Sequence, residues 1–245
     1  MIIFIPMAGL SARFTKAGYT LPKYMLFAGD RSLFRIAVSS FASQFDTARF
    51  VFLYRNIFYT KTFIDSECAL LGIKHFELIE IEHPTRGQAE TVKIGIDHLL
   101  QKGIEDEMFV FNADTAKKSF IIPDFINETD GYLEVFEGEG DHWSLAEPVA
   151  GSTNRVARTT EKVRISNLCS NGLYYFKTMQ MFADAYQTSF GKTAHTGEYY
   201  IAPMYNVLIA AGKKIHFVVQ PKSAMLLFGT PAEYIGFVKS VITVA

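Results

Sequence analysis

Two positively charged side chains near the N-terminus have the types and spacing of a phosphate site. A loop rich in small residues, Met7-Ala8-Gly9-Leu10-Ser11-Ala12, leads into Arg13, and Lys23 follows ten residues later behind Leu21-Pro22. Small residues let backbone N–H groups approach phosphate oxygens. Phosphoryl chemistry needs added positive charge as well, to neutralise both the attacked phosphate and the leaving group. The same loop also fits an ordinary strand-to-helix turn that uses Gly9 for backbone freedom and carries solvated charges. Two acidic positions stand out further along. Asp114, after Asn112-Ala113, reads on its own as a cap or turn residue. Glu161-Lys162 reads on its own as a charge pair at a strand end.

These residues must be placed by the elements around them. Ile2-Ile3-Phe4-Ile5, Phe50 to Tyr54, His75 to Ile81 and Met108 to Phe111 are apolar runs of strand length. Consecutive apolar positions predict strands covered on both faces, as in a parallel sheet. Helical spacing predicts helices over Ser32–Phe45, with Ser32 as N-cap, over Thr60–Leu71, closed by Gly72, and from Gln88 to about Leu100. Alternation of strand and helix through roughly residue 115 predicts a right-handed, mostly parallel α/β sheet. Ligands in such sheets bind beyond the carboxyl ends of the strands. The loops after Pro6 and after Phe111 lie at such ends. Short strands then follow at Gly131–Glu137, Trp143–Pro148, Val156–Val163 and Leu173–Phe176. They read as an inserted or appended antiparallel sheet. Helices are expected at Met179–Tyr186 and Glu198–Ala211, strands at Ile215–Val219 and Met225–Phe228, and a last helix from about Pro231.

Composition bounds the partners. The 245 residues carry 24 Lys and Arg against 25 Asp and Glu, a net charge of -1. That balance argues against nucleic acid as a partner, although a local basic pocket is allowed. Cys68 and Cys169 read as free thiols in a reducing compartment. The longest apolar stretch, Tyr199 to Gly212, is interrupted by Pro203 and Asn206, and a membrane span needs about 20 apolar residues. The apolar N-terminus has no basic segment before it and reads as a strand. A cytoplasmic protein without a membrane partner is expected. The chain has 22 Phe and 12 Tyr but one Trp. Phe4, Phe50, Phe52, Phe109 and Phe111 fall in predicted buried strands, and part of the remainder could line an interface in a homo-oligomer. His75, His83, His98, His142, His195 and His216 show no metal spacing. His83 is a candidate for contact with a nucleobase. Asp141-His142-Trp143-Ser144 reads as a solvated hairpin turn, and Glu105, Asp106 and Glu107 as a solvated loop.

Ile5 to Lys23 resembles the signature of the sugar-1-phosphate nucleotidylyltransferases, the nucleoside-diphosphate-sugar pyrophosphorylases. Their pattern is A-A-G-x-G-[TS]-R with P-K ten residues after the Arg, and Gly9, Arg13, Pro22 and Lys23 fall on it. Ser11 stands where the family has its second Gly, and Ala12 where it has Thr or Ser. The Pro and Thr usual between the Arg and the Pro-Lys are missing. Arg86-Gly87-Gln88-Ala89-Glu90 is similar to the segment that lies against the nucleotide. Asn112-Ala113-Asp114 sits where the family has G-D, Glu161-Lys162-Val163 where it has E-K-P, and Asn171-Gly172-Leu173-Tyr174 where it has x-G-[IV]-Y. Gly229-Thr230-Pro231-Ala232-Glu233-Tyr234 looks like its G-T-P-E-x-Y. Two residues before that Gly the family has an Asp, a second metal ligand; this chain has Leu227.

The resemblance covers nearly the whole chain. It implies a Rossmann-like α/β fold of the glycosyltransferase A type: a mostly parallel mixed sheet flanked by helices, with an inserted antiparallel sugar-binding part. One domain over 1–245 is implied, with a nucleotide-binding half (1–115) and a sugar-phosphate-binding half (116–245). The implied reaction joins a nucleoside triphosphate to a sugar 1-phosphate, or a similar phosphomonoester, with release of pyrophosphate, in nucleotide-sugar and polysaccharide biosynthesis. Carried over residue by residue, Ala8, Gly9, Leu10, Ser11, Gln88 and Ala89 would bind the nucleotide. Arg13 would neutralise the β- and γ-phosphates and Lys23 the α-phosphate. Asp114 would hold Mg²⁺, for which a carboxylate at a strand end with substrate oxygens is a usual setting. Glu161 would contact sugar hydroxyls, Lys162 the sugar phosphate, and Asn171 and Gly172 would close the sugar pocket. If another acid replaces Leu227 as second ligand, Asp141 and Glu198 are the candidates. A nucleotide-sugar-dependent glycosyltransferase and a non-catalytic binding descendant remain as alternatives.

Overall fold

The structure, a computed structural model, describes residues 1–190 and 197–243. His195 lies outside the described residues. The elements run β1 (Ile2–Pro6), α1 (Ala12–Lys16), β2 (Phe27–Ala28), β3 (Arg31–Ser32), α2 (Leu33–Val38), β4 (Arg49–Tyr54), α3 (Thr60–Leu71), β5 (Phe76–Glu80), α4 (Gln88–Gln101), β6 (Met108–Phe111) and β7 (Thr115–Lys117). They continue with β8 (Gly131–Glu137), β9 (Ser144–Pro148), β10 (Val156–Glu161), β11 (Leu168–Phe176), α5 (Met179–Ser189), α6 (Met204–Ala210), β12 (Ile215–Val219), β13 (Met225–Leu227) and α7 (Pro231–Thr243). No described helix is long and apolar enough to cross a membrane.

The central strands β5, β4, β1 and β6 are parallel neighbours, as the alternating pattern predicts. β11 then joins β6 antiparallel, with Tyr174 opposite Val110. The antiparallel strands therefore extend the central sheet instead of forming a separate one. β8 pairs β11 antiparallel and β12 pairs β8 in parallel. β9 and β10 add a hairpin-like edge.

The apolar runs are explained by burial on both faces. Ile2 and Phe4 of β1 pack with Ala89, Val92 and Ile96 of α4 and with Phe182 of α5. Ile3 and Ile5 point the other way, into a core with Phe34, Phe41, Phe52 and Phe111. The period-2 alternation of a strand thus serves two cores. Phe4, Phe50, Phe52, Phe109 and Phe111 are all fully buried, each contributing about 1.5–3 kcal/mol by burial. Edge-on pairs such as Phe41–Phe111 (5.1 Å) and Phe109–Phe120 (5.1 Å) account for much of the aromatic excess.

Several elements differ from the sequence reading, among them β11, which starts at Leu168 and not at Leu173. The helix expected over Ser32–Phe45 ends as α-helix at Val38 and continues as a 3₁₀ segment, Ser39–Gln44, in which Phe41 is non-helical. Ser40 is fixed there as acceptor for the Lys117 N–H at 2.8 Å. Its start is as expected: Ser32 Oγ accepts from Arg35 N. The helix expected from Glu198 begins only at Met204. Tyr199 cannot be helical, because its N–H donates to Arg86 O (2.7 Å) and its C=O accepts from Ala89 N (2.9 Å). Finally, β7 and β13 form a small antiparallel ladder that places Leu227 opposite Thr115.

Candidate active site

The glycine-containing loop leaves β1 beside the ends of β4 and β6. Met7 N donates to Leu53 O at 2.7 Å, which holds the chain in line past the strand. The chain turns at Ser11, whose φ of 51° and ψ of 32° are left-handed. That conformation costs a residue with a Cβ about 1–2 kcal/mol. It explains why glycine suits this position: the backbone needs a positive φ here, and Ser11 supplies it under strain. Ser11 O then accepts from Phe14 N (2.8 Å) and Thr15 N (3.1 Å), starting α1. Ser11 Oγ accepts from Lys23 N at 3.4 Å, tying the loop to the Pro22-Lys23 segment. Phe14 is buried against Tyr19 and against Tyr234 of α7, so Arg13 projects from a braced turn.

Asp114 follows the buried end of β6. Its Oδ2 is paired with Lys23 Nζ in a contact that is both hydrogen bond and ion pair. The lysine that the spacing singled out and the aspartate that the resemblance singled out are therefore adjacent, although 91 positions separate them.

Two cavities meet at this pair. The larger, of about 470 Å³, is lined by Ala8, Gly9, Leu10, Ser11, Lys23 and Asp114, and also by Tyr24, Pro84, Thr85 and Thr91. The smaller, of about 190 Å³, is lined by Arg13, Trp143, Ser144, Glu161, Asn171 and Tyr174. Gln88, Asn112, Asp114 and Tyr200 belong to both. Gln88 Nε2 donates to Asn112 Oδ1 at 2.5 Å across the junction. Two glycines shape it. Gly87 has φ 127°, and a Cβ there would lie 2.5 Å from Tyr199 O. Gly172 has φ 92°, and a Cβ there would lie 2.5 Å from Asn112 Nδ2. Neither position accommodates a side chain.

The smaller cavity has an acidic and aromatic wall. Glu161 accepts from the Ser144 hydroxyl, and Tyr174 OH donates to Ser144 Oγ at 3.4 Å. Burial pushes the Glu161 carboxyl above its ordinary pKa, with the Ser144 hydrogen bond opposing. Burial likewise pushes the Tyr174 phenol up to about 12, with Glu161 adding to it. Asn171 is buried. Its Nδ2 donates to Glu134 Oε2 (2.8 Å), and its Oδ1 accepts from Leu173 N (3.0 Å). Glu134 is paired in turn with the buried Lys117, so the Asn171 side chain is set by a fully interior ion pair. Lys162, with φ 56°, lines neither cavity. Its Nζ lies 4.5 Å from the Tyr200 ring centroid, 3.9 Å from Glu198, and contacts the Tyr200 hydroxyl.

Most of the expected residues converge. Ala8, Gly9, Leu10, Ser11, Gln88, Lys23 and Asp114 line the larger cavity; Arg13, Glu161, Asn171 and Asp114 line the smaller. Gly172 abuts Asn112. Ala89 is placed differently: it is fully buried in the core, with its N–H bonded to Tyr199 O. His83 is exposed and lines neither cavity. Of the two acids considered beside Leu227, Glu198 lines the larger cavity and Asp141 is exposed outside both. The run Asp141–Ser144 was expected to be solvated, yet His142, Trp143 and Ser144 form a wall of the smaller cavity. Its one signal was the single tryptophan beside a strand. Glu105 and Glu107 are not merely solvated either: they accept from Met179 N (2.9 Å) and Tyr175 OH (3.0 Å). Cys68 and Cys169 are buried free thiols.

No protein-family model matches the chain, and no curated protein does. A solved structure of the nucleoside-diphosphate-sugar pyrophosphorylase from Vibrio cholerae RC9 is 45% identical, with 98% of this chain and all of that one covered and a TM-score of 0.92. A UDP-glucose pyrophosphorylase complexed with UDP-glucose is 16% identical over 100% of this chain and 99% of that one, with a TM-score of 0.76. The inositol-1-phosphate CTP transferase from T. maritima is 12% identical over 98% and 95%, with a TM-score of 0.72. The latter two share the fold. At 45% identity over the full length of the Vibrio protein, the chain belongs to the nucleoside-diphosphate-sugar pyrophosphorylases, the sugar-1-phosphate nucleotidyltransferases.

Proposed function

We propose that this chain transfers a nucleotidyl group from a nucleoside triphosphate to a sugar 1-phosphate, releasing pyrophosphate. The observation that carries this reading is the junction of two cavities at Asp114 and Lys23. The larger cavity offers a nucleotide the loop Ala8–Ser11 together with Tyr24, Pro84, Thr85 and Thr91. The smaller offers a sugar the Glu161 carboxylate, the Ser144 hydroxyl and the Trp143 and Tyr174 rings. The chain then acts as one domain, nucleotide-binding over 1–115 and sugar-phosphate-binding over 116–245.

Lys23 neutralises the α-phosphate at the junction. Arg13 lines the acceptor cavity, so we assign its charge to the phosphate entering from that side, not to the β- and γ-phosphates. Glu161 accepts from sugar hydroxyls. Asn171, set by Glu134, and Gly172, against Asn112, shape the acceptor side. Lys162 steadies Tyr200, which borders both cavities, and so acts on the acceptor through that ring. The attacking phosphate is already ionised, so little general-base chemistry is needed. Rate then comes from positioning and charge stabilisation.

Mg²⁺ fits the donor set in a limited way. Such ions are held by one or two carboxylates together with substrate phosphates, and Asp114 is one carboxylate at the junction. Among the described residues no group of three His, Cys, Asp or Glu side chains gathers there. When bound, the ion would supply charge neutralisation for the phosphates beside Asp114. Two buried free thiols and the absence of a described membrane-crossing helix support a cytoplasmic site of action.

A pyrophosphate-release assay with four nucleoside triphosphates and a panel of sugar phosphates tests the reading. Release with one pair supports it. Turnover of a nucleotide-sugar without pyrophosphate would show a glycosyltransferase instead, and binding without turnover a non-catalytic descendant.

A further inference from the structure

Lys23 and Asp114 hold one another, with side chains 26% and 23% exposed. The proposed function gives these groups different ligands: a phosphate for Lys23 and a divalent cation for Asp114. One ammonium and one carboxylate cannot fully serve each other and two ligands as well.

Glu233 is the second carboxylate near Asp114, both facing Gly229 at the smaller cavity, but among the described residues no group of three His, Cys, Asp or Glu side chains gathers there. β13 lies beside β7, Phe228 N donates to Asp114 O at 3.1 Å, and Leu227 presents hydrocarbon to the smaller cavity. The other acids at the two cavities have partners. Glu233 Oε2 accepts from Thr230 N (2.9 Å) and Thr230 Oγ1 (3.0 Å) as a capping box of α7. Glu161 accepts from Ser144, and Glu198 lies 3.9 Å from Lys162.

We propose that the Lys23–Asp114 pair is a mutual lock that makes metal and phosphate binding depend on each other. In the unliganded chain Lys23 cancels the Asp114 carboxylate that a divalent cation would use, and Asp114 cancels the ammonium a phosphate would use. A phosphate that takes Lys23 releases Asp114, and a cation that takes Asp114 releases Lys23. Bare metal and bare phosphate therefore bind weakly, and the two together bind well. By linkage, each ligand strengthens the other by the same factor. This rests on the phosphate and metal assignments of the preceding section.

The lock is tested without turnover. Mn²⁺ is titrated into the metal-free 245-residue chain, without nucleotide, while the free ion is followed by electron paramagnetic resonance. Lys23→Met should bind Mn²⁺ about tenfold more tightly than the unsubstituted chain, and the double variant Lys23→Met/Asp114→Asn should lose that gain. In the mirror experiment sodium pyrophosphate is titrated by calorimetry in the presence of EDTA. Asp114→Asn should bind it about tenfold more tightly. Lys23→Gln and Asp114→Ala repeat both arms if a first variant fails to melt cooperatively. Affinities within about twofold of the unsubstituted chain in either arm, or a Mn²⁺ gain that survives in the double variant, overturn the proposal. Failure of pyrophosphate release in the transfer assay would sink the functional reading but leave these binding results standing, so the two failures are distinguishable.

Discussion

Gln88 Nε2 donates to Asn112 Oδ1 at 2.5 Å, and that bond closes the seam between the two cavities. Asn112 can hold this place because Gly172 behind it has no side chain. A Cβ on Gly172 would sit 2.5 Å from Asn112 Nδ2, at a φ of 92°. Gly172→Ala is therefore expected to destabilise the fold by about 2–4 kcal/mol. It should also displace Asn112 and raise the KM for both substrates. Thermal denaturation with steady-state kinetics checks this; an alanine variant with unchanged Tm and KM would show that the seam does not matter.

Lys23 is expected to act on the transition state more than on binding. Lys23→Ala should lower kcat by about 10²–10³-fold, with a smaller change in substrate affinity. Steady-state kinetics separate the two, and a raised KM with unchanged kcat would mean uniform binding only.

Ser11 supplies a prediction of opposite sign. Its left-handed φ of 51° is strained, and Ser11→Gly removes that strain at some cost in unfolded-chain entropy. A net gain of about 0.5–1 kcal/mol is expected, or a Tm about 1–4 °C higher for a chain of this length. The variant should keep its turnover, because only the weak Ser11 Oγ bond to Lys23 N is lost. Calorimetry and the release assay read both.

Glu161 gives a pH signature. Burial raises its pKa, so the folded chain holds the proton more tightly than the unfolded chain does. Ionising it costs folding free energy as pH rises from the ordinary value of about 4.3 through the raised one. Glu161→Gln removes that cost while still accepting from Ser144. Its Tm should exceed that of the unsubstituted chain near about pH 7, and the difference should vanish below about pH 4. The acceptor KM should rise while the KM for the triphosphate stays the same. A Tm difference independent of pH would contradict the assignment.

The sequence foretold the sheet because its central strands are buried on both faces, leaving uninterrupted runs such as Ile2–Ile5 and Met108–Phe111. It foretold a loop of small residues where β1 ends, and that loop lines the larger cavity. It did not foretell where α6 would start, since the pairing of Tyr199 with Arg86 and Ala89 is long-range. That same pairing turns Ala89 away from the cavity. The Trp143 wall was hidden for a related reason: the segment reads as a solvated hairpin turn, but β8 and β9 on either side of it pair with β11 and not with each other, and it lines the smaller cavity with Glu161. Nor does any local pattern announce that Lys117 and Glu134 pair in the interior beneath Asn171.

Nucleotidyl transfer at the Lys23–Asp114 junction can be observed in a single reaction mixture. The most direct measurement is ³¹P NMR of the reaction mixture with the nucleotide and sugar phosphate pair that the release assay identifies. Equal growth of pyrophosphate and of the two diphosphate resonances of a nucleotide-sugar is expected, both abolished by Lys23→Ala. Orthophosphate in place of pyrophosphate, or the same products at the same rate from Lys23→Ala, would contradict it.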